Sequence, residues 1–236
     1  MPVRTTDVFA NILEKMDTSM NPFVMKLVNA QESGDLLVGF GPKLKSHIGA
    51  WRNQFPDMPS TDVTRPLIVE IGCHYGHTIA DIAVDHPDAL FVGIDITFKR
   101  VINTAERAKK LGLKNVLSVL ANAGGLEHMF APGEVNGFVT FFPDPWTKKK
   151  HAHNRLYSPK FCEAVWQALS PSGFLWLKTD QRPYFDDALS HAAAQGFEVT
   201  QSLPVFSDKD YSSYFMRRFQ LMGEPWYGQK WVKPLS

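Results

Sequence analysis

The pattern of apolar and polar positions changes character near residue 65. Beyond it, short apolar runs alternate with longer segments whose apolar residues recur at helical spacing. The runs Pro66–Gly72, Ala89–Asp95, Val116–Ala121, Gly137–Phe142, Phe174–Asp180 and Phe197–Leu203 read as six strands. Helices are predicted over Thr78–His86, Phe98–Gly112, Lys160–Ser170 and Tyr184–Gly196, with Gly112, Pro171-Ser172-Gly173 and Gly196 as stops. A seventh strand is predicted over Ser213–Met222 after a polar loop. Strands separated by helices of this length predict an α/β fold, a parallel sheet with helices on both faces.

The first part of the chain lacks this alternation. Residues 1–64 hold one helical pattern near the start and then a mixed stretch rich in glycine and proline. They read as an extension packed on a core domain spanning 65–236. Composition narrows the class without changing that picture. With 236 residues, 44% of them hydrophobic and 21% charged, the chain can fill one core. No apolar run is long enough to cross a bilayer, and the N-terminus does not read as a secretory signal. Cys73 and Cys162 form neither a disulfide framework nor a metal spacing and fit a reducing, cytoplasmic compartment. A net charge of +1 means that any nucleic-acid surface must be local.

In such a sheet, ligands bind beyond the carboxyl ends of the strands, near the point where strand order reverses. The turn after the first strand, EIGCHYGHT, carries Gly72 and Gly76, which permit a tight turn and close approach of backbone to ligand. Asp95 ends the second strand, where its carboxylate can accept both hydroxyl hydrogens of a ribose, and Asn122 ends the third, suited to an adenine amino group. This spacing suits a dinucleotide or S-adenosylmethionine. The turn reads G-x-x-x-G, with His74 where a dinucleotide fingerprint needs a middle glycine, which favours S-adenosylmethionine (AdoMet). His74 and His77 have no third ligand nearby in sequence, so no metal is expected.

The fourth strand runs into FFPDPWTKKKHAHNR. Pro143 and Pro145 restrict the backbone on both sides of Asp144, and Trp146 offers an apolar plate. Lys148, Lys149, Lys150, His151 and Arg155 then form a dense basic loop suited to phosphates, although such runs are commonly only solvated.

From Val69 to Tyr227 the chain resembles the bacterial tRNA (guanine-N7)-methyltransferase family, the TrmB family. The resemblance rests on Glu70-Ile71-Gly72, on the long Phe142–His151 loop motif F-x-D-P-W-x-K-K-x-H, and on Leu177-Lys178-Thr179-Asp180. It implies a Rossmann-like class I AdoMet-dependent methyltransferase, with a seven-stranded, mostly parallel sheet and methyl transfer to a guanine N7 of tRNA. It implies cofactor contacts at Glu70, Asp95, Asn122 and Asp144, beside Gly72 and Gly76 of the turn, with Asp144 also catalytic or base-positioning. Substrate contacts are implied at Lys148 and Asp180, and are expected also at His151 and Arg155 of the basic loop and at Ser213, whose hydroxyl can replace the motif threonine.

The chain departs from the family pattern at named positions. His74 stands in a turn that is richer in glycine in the family, Asn154 where the loop usually has arginine, and Met216 where the T-x-Y/F-E motif has its acid. No arginine-rich arm is visible in residues 1–64. These departures leave open a divergent relative that methylates another substrate, or one that binds AdoMet and RNA without turnover. A nicotinamide oxidoreductase is disfavoured by the glycine pattern. Monomer and homodimer are both left open.

Overall fold

The computed structural model describes residues 22–38, 42–45, 47–55, 64–206 and 209–235. The helix expected near the N-terminus lies outside the described residues. Among these, eight strands form a single sheet: β1 (Leu36–Val38), β2 (Leu67–Ile71), β3 (Leu90–Asp95), β4 (Val116–Leu120), β5 (Val135–Phe141), β6 (Leu169–Thr179), β7 (Glu198–Thr200) and β8 (Tyr227–Val232). Their order is β1-β4-β3-β2-β5-β6-β8-β7. All pairings are parallel except those of β8, which runs antiparallel between β6 and β7.

The central strands are apolar because both of their faces are covered. Val69 and Ile71 of β2 pack on one face with Val92, Phe138 and Phe161, while Ile68 packs on the other with Phe91, Ile79 and Ile82. The covering helices are α3 (His77–Asp85) and α4 (Phe98–Lys110), with α5 (Pro159–Ala168) and α6 (Arg182–Gln195). In α4, Val101, Ile102, Ala105 and Ala108 are buried. Its last turn carries Arg107, Lys109 and Lys110, which complement the negative end of the helix dipole. The α5 start is fixed by Ser158, whose hydroxyl accepts from the Phe161 amide, and by Pro159 in the first turn. Gly196, at φ 99°, ends α6 in the left-handed conformation that only glycine adopts without strain.

Two expectations need correction. The sheet has eight described strands, not seven, because Leu36–Val38 adds a parallel edge strand beside β4. The stretch expected as a seventh strand is instead a helix, α7 (Tyr214–Met222). Ser213 caps it by accepting from the Met216 amide, and Phe215 and Phe219, four residues apart, both pack on Phe142. The antiparallel strand comes later, as β8, whose Trp231 enters the core. Before β2, two further helices are described, α1 (Pro22–Glu32) and α2 (Pro42–Lys45). Residues 47–55 are stitched to the body by Glu134, which accepts from the Gly49 and Trp51 amides at 2.9 and 3.1 Å. The Trp51 indole donates to the Met129 carbonyl at 2.6 Å. Among the described residues no helix is long and apolar enough to cross a membrane.

Candidate cofactor and acceptor site

Strand order reverses at β2, which has β3 on one side and β5 on the other. A cavity of about 430 Å³ opens at the carboxyl ends of these strands. Glu70, Gly72, His74 and Asp95 line it from one side, and Asn122 joins them from the end of β4. Asp144, Trp146, Asn154 and Arg155 line it from the loops after β5. Ser213, Tyr214 and Phe215 close it from the start of α7. Of the sequence-predicted site residues, Glu70, Gly72, Asp95, Asn122, Asp144, Arg155 and Ser213 line this one space.

Asp95 is buried, and its Oδ1 accepts from the Thr97 amide at 2.8 Å. Its Oδ2 accepts from the His74 amide at 3.2 Å, and Arg100 Nη1 stands 3.5 Å away. The acid thus also shapes the first turn, where His74 adopts φ 52° without being glycine. The two glycines of that turn serve different ends. Gly72, at φ 78°, has open space where a Cβ would stand. At Gly76 a Cβ would lie 2.9 Å from the Thr104 backbone, so this glycine is demanded by the approach of α3 to α4, and it does not line the cavity.

Glu70 is 5% exposed, and its Oε2 has no hydrogen-bond partner among the described residues. Burial pushes its pKa up to about 8, with Asp95 adding to the rise and the Ile79 amide opposing it. Glu70 lines the cavity, and a buried carboxyl without a partner there fits a ligand that brings hydrogen-bond donors or positive charge. Asn122 is exposed and its Oδ1 accepts from the Gly124 amide at 2.9 Å. His74 and His77 meet different partners. The His74 ring packs on Tyr75 and Phe215, while His77 Nε2 meets Arg107 Nη2 at 3.0 Å. Among the described residues no group of three or more His, Cys, Asp or Glu side chains is placed to hold a metal ion.

Asp144 is exposed at the cavity mouth and makes no hydrogen bond or ion pair among the described residues. Its loop is held from both ends. Phe142 and Trp146 both sit in the left-handed region, at φ 54° and 43°. Such residues cost of order 1–3 kcal/mol each and persist where surrounding structure fixes them. The Phe142 amide donates to the Lys178 carbonyl at 2.7 Å, and Arg155 Nε donates to the Pro145 carbonyl at 3.2 Å. Arg155 also pairs with Asp187 of α6, so its guanidinium is engaged in holding the loop. His151 packs beside Trp146, with ring centroids 5.9 Å apart. Lys148 and Lys150 are exposed, and neither they, His151 nor Asp180 lines the cavity. Asp180, at the end of β6, is half-buried and accepts from Gln181 Nε2 at 2.6 Å. Ser213 is buried with its hydroxyl used as the α7 cap. Sequence reasoning missed Arg100 beside Asp95, Phe215 at the rim, and the positive φ of Phe142 and Trp146. No local signal marks them.

The architecture matches solved methyltransferases. The structure of 16S rRNA methyltransferase KamB superposes with a TM-score of 0.53 at 15% identity, over 81% of this chain and 91% of that one. The fold and the cavity at the strand-order reversal define a class I AdoMet-dependent methyltransferase. The family model described as "Putative methyltransferase" matches residues 64–233. Among curated proteins, the tRNA (guanine-N(7)-)-methyltransferase of Bdellovibrio bacteriovorus is 33% identical over 69% of this chain and 78% of its own length. The protein of that name from Bacillus licheniformis is 31% identical over 76% of this chain and 83% of its own. The chain belongs to the tRNA (guanine-N7)-methyltransferase family.

Proposed function

We propose that the protein transfers a methyl group from AdoMet to N7 of a guanine in tRNA. The observation that carries this reading is the exposed Asp144 carboxylate, held by a strained loop at the mouth of the cavity that Glu70 and Asp95 line. Glu70, Gly72, Asp95 and Asn122 would hold the cofactor, with Gly76 setting the turn behind them. AdoMet supplies an electrophilic methyl carried on a sulfonium. Guanine N7 has a lone pair and no hydrogen, so the residues need not remove a proton. Their work is to align N7 in line and to offset the positive charge that passes to the base. Asp144 would do the latter and accept from the guanine N1–H or amino group, while Asp180, outside the cavity, would meet the tRNA beside it. Lys148 and His151 would meet the RNA backbone, and Arg155 would hold the loop that presents Asp144. Ser213, as the α7 cap, would fix the acceptor wall.

The decisive test is incubation with labelled AdoMet and unmodified tRNA, followed by mapping of N7-methylguanine through borohydride–aniline cleavage. Cleavage at a labelled guanine supports the reading, and label without such cleavage overturns the N7 assignment. Met216 and Asn154 favour a second reading, AdoMet and RNA binding without turnover. It predicts tight AdoMet binding and no label transfer. In the same proposal, residues 1–64 form an extension on a methyltransferase domain of residues 65–236. The protein works in the cytoplasm, where its RNA is found.

Glu70 gives a pH-dependent prediction. At pH 7 its carboxyl, with a pKa pushed up to about 8, is mostly protonated in the free protein. The positive charge of AdoMet favours the ionised form, so binding should expel a proton, and affinity should rise with pH until about 8. Calorimetry at pH 7 in buffers of different ionisation enthalpy should show this release, and Glu70→Gln should abolish it. A buffer-independent enthalpy in the wild type would refute it. The same shift acts on stability. Between 4.5 and about 8 the unfolded chain has lost this proton and the folded chain has not, so Glu70 weakens the free fold as pH rises through that window.

The basic loop gives another. If Lys148 and Lys150 touch phosphates, replacing both with alanine should weaken tRNA binding and flatten its log–log salt slope by roughly one to two. AdoMet affinity should be untouched. An unaltered slope would make these lysines a solvated face.

A further inference from the structure

Lys178 lies on β6 with its side chain 1% exposed, and the reaction outlined above does not use it. A lysine this buried keeps its charge only if it is paired. Its ammonium donates to the Asp210 carboxylate and, at 2.6 Å, to the Tyr211 carbonyl. Met216 Sδ stands 3.6 Å away. Rings of Phe141, Trp176 and Trp226 surround it at 4.8, 4.9 and 5.3 Å. Burial holds the pKa of Lys178 below the ordinary lysine value, with Asp210 opposing the shift. All three acceptors come from residues 210–216, the segment that also brings Ser213, Tyr214 and Phe215 to the cavity. A thioether is a weak acceptor, so Asp210 supplies the neutralising charge. Tyr211 is tied in addition to the end of α3, its hydroxyl meeting Asp85 Oδ2 and His86 Nε2, each at 2.9 Å.

We propose that Asp210 is a positioning residue for the acceptor wall: by pairing with buried Lys178 it fixes the turn into α7, and with it Ser213, Tyr214 and Phe215 at the cavity rim. The proposal rests on the methyl-transfer reading for its kinetic part only. Met216, which stands where the family motif has an acid, touches Lys178 through its sulfur only. The carboxylate partner of Lys178 comes from the loop before the helix rather than from the helix itself.

Glutamate has nearly the reach of methionine, so Met216→Glu can deliver a carboxylate to Lys178 when Asp210 is neutralised. The test compares wild type, Asp210→Asn, and Asp210→Asn with Met216→Glu. Asp210→Asn should speed hydrogen exchange of the amides in 211–222 by roughly tenfold or more, while those of β2 and β3 hold. It should lower kcat/KM for tRNA by about tenfold, mainly through KM, with AdoMet Kd within about twofold. Adding Met216→Glu should return both measures most of the way, a rescue that double-mutant logic reserves for a shared partner. Asp210→Glu, which keeps the charge, should protect α7 better than Asp210→Asn does. Unchanged exchange in Asp210→Asn overturns the proposal. So does a loss that Met216→Glu fails to restore in a double variant melting at the wild-type temperature, or an Asp210→Glu as loose as Asp210→Asn. If the wild type labels no tRNA, the proposed function fails, and the exchange pattern alone decides the role of Asp210.

Discussion

Asp144→Asn should fold like the wild type, bind AdoMet, and lose roughly two to three orders of magnitude in methyl-transfer rate, the effect of removing one preorganised electrostatic group. The structure makes this separation clean. The carboxylate is exposed and has no partner among the described residues, so the amide leaves no buried group unsatisfied. What fixes the residue is its backbone, through Phe142 at φ 54°, Trp146 at φ 43°, and the Arg155 bond to the Pro145 carbonyl. None of these contacts changes in the asparagine variant. Asp144→Glu should fail as well, because one more methylene displaces the carboxylate by about 1 Å, more than in-line geometry tolerates. Single-turnover kinetics with saturating AdoMet is the measurement. A wild-type rate in Asp144→Asn would remove Asp144 from the reaction and leave its loop a purely structural one.

How far the sequence could be read depended on where the relevant forces lie. The strands Leu67–Ile71 and Leu90–Asp95 were legible because burial on both faces demands continuous apolar runs. Their last residues marked the cavity because strand ends in this architecture face the ligand. Residues 213–222 were misread as a strand, although Phe215, Phe219 and Met222 recur at helical spacing. What decides for a helix is the Ser213 cap and the packing of Phe215 and Phe219 on Phe142, a contact more than seventy residues away along the chain. Gly76 was legible as a required glycine, but not its reason. The crowding comes from Thr104, on a different helix. Lys178 lay in a recognised motif, yet its partner Asp210 did not, because their pairing exists only once β6 and the segment before α7 are brought together. Phe142 and Trp146 show the same limit at the backbone. Their left-handed conformations carry no glycine or asparagine to announce them.

Asp95→Ala should weaken AdoMet binding by about 2–4 kcal/mol, the loss of two hydrogen bonds from ribose hydroxyls to a charged acceptor. That is roughly thirtyfold to nearly a thousandfold in Kd. The geometry adds a second contribution that must be separated from the first. The same carboxylate accepts from the Thr97 and His74 amides, so its removal also frees the turn that carries Gly72. His74→Gly isolates that contribution. It keeps the amide that Asp95 holds, relieves the left-handed strain at φ 52°, and removes the ring packed on Tyr75 and Phe215. If the carboxylate acts directly on the cofactor, His74→Gly should bind AdoMet within a few fold of wild type while Asp95→Ala does not. Equal losses in the two variants would mean that the turn, not the carboxylate, governs affinity. Unchanged affinity in Asp95→Ala would refute the placement of the ribose at the end of β3. Titration calorimetry with AdoMet distinguishes all three results, because the direct contact should cost enthalpy while a loosened turn should show its loss chiefly as ordering entropy on binding.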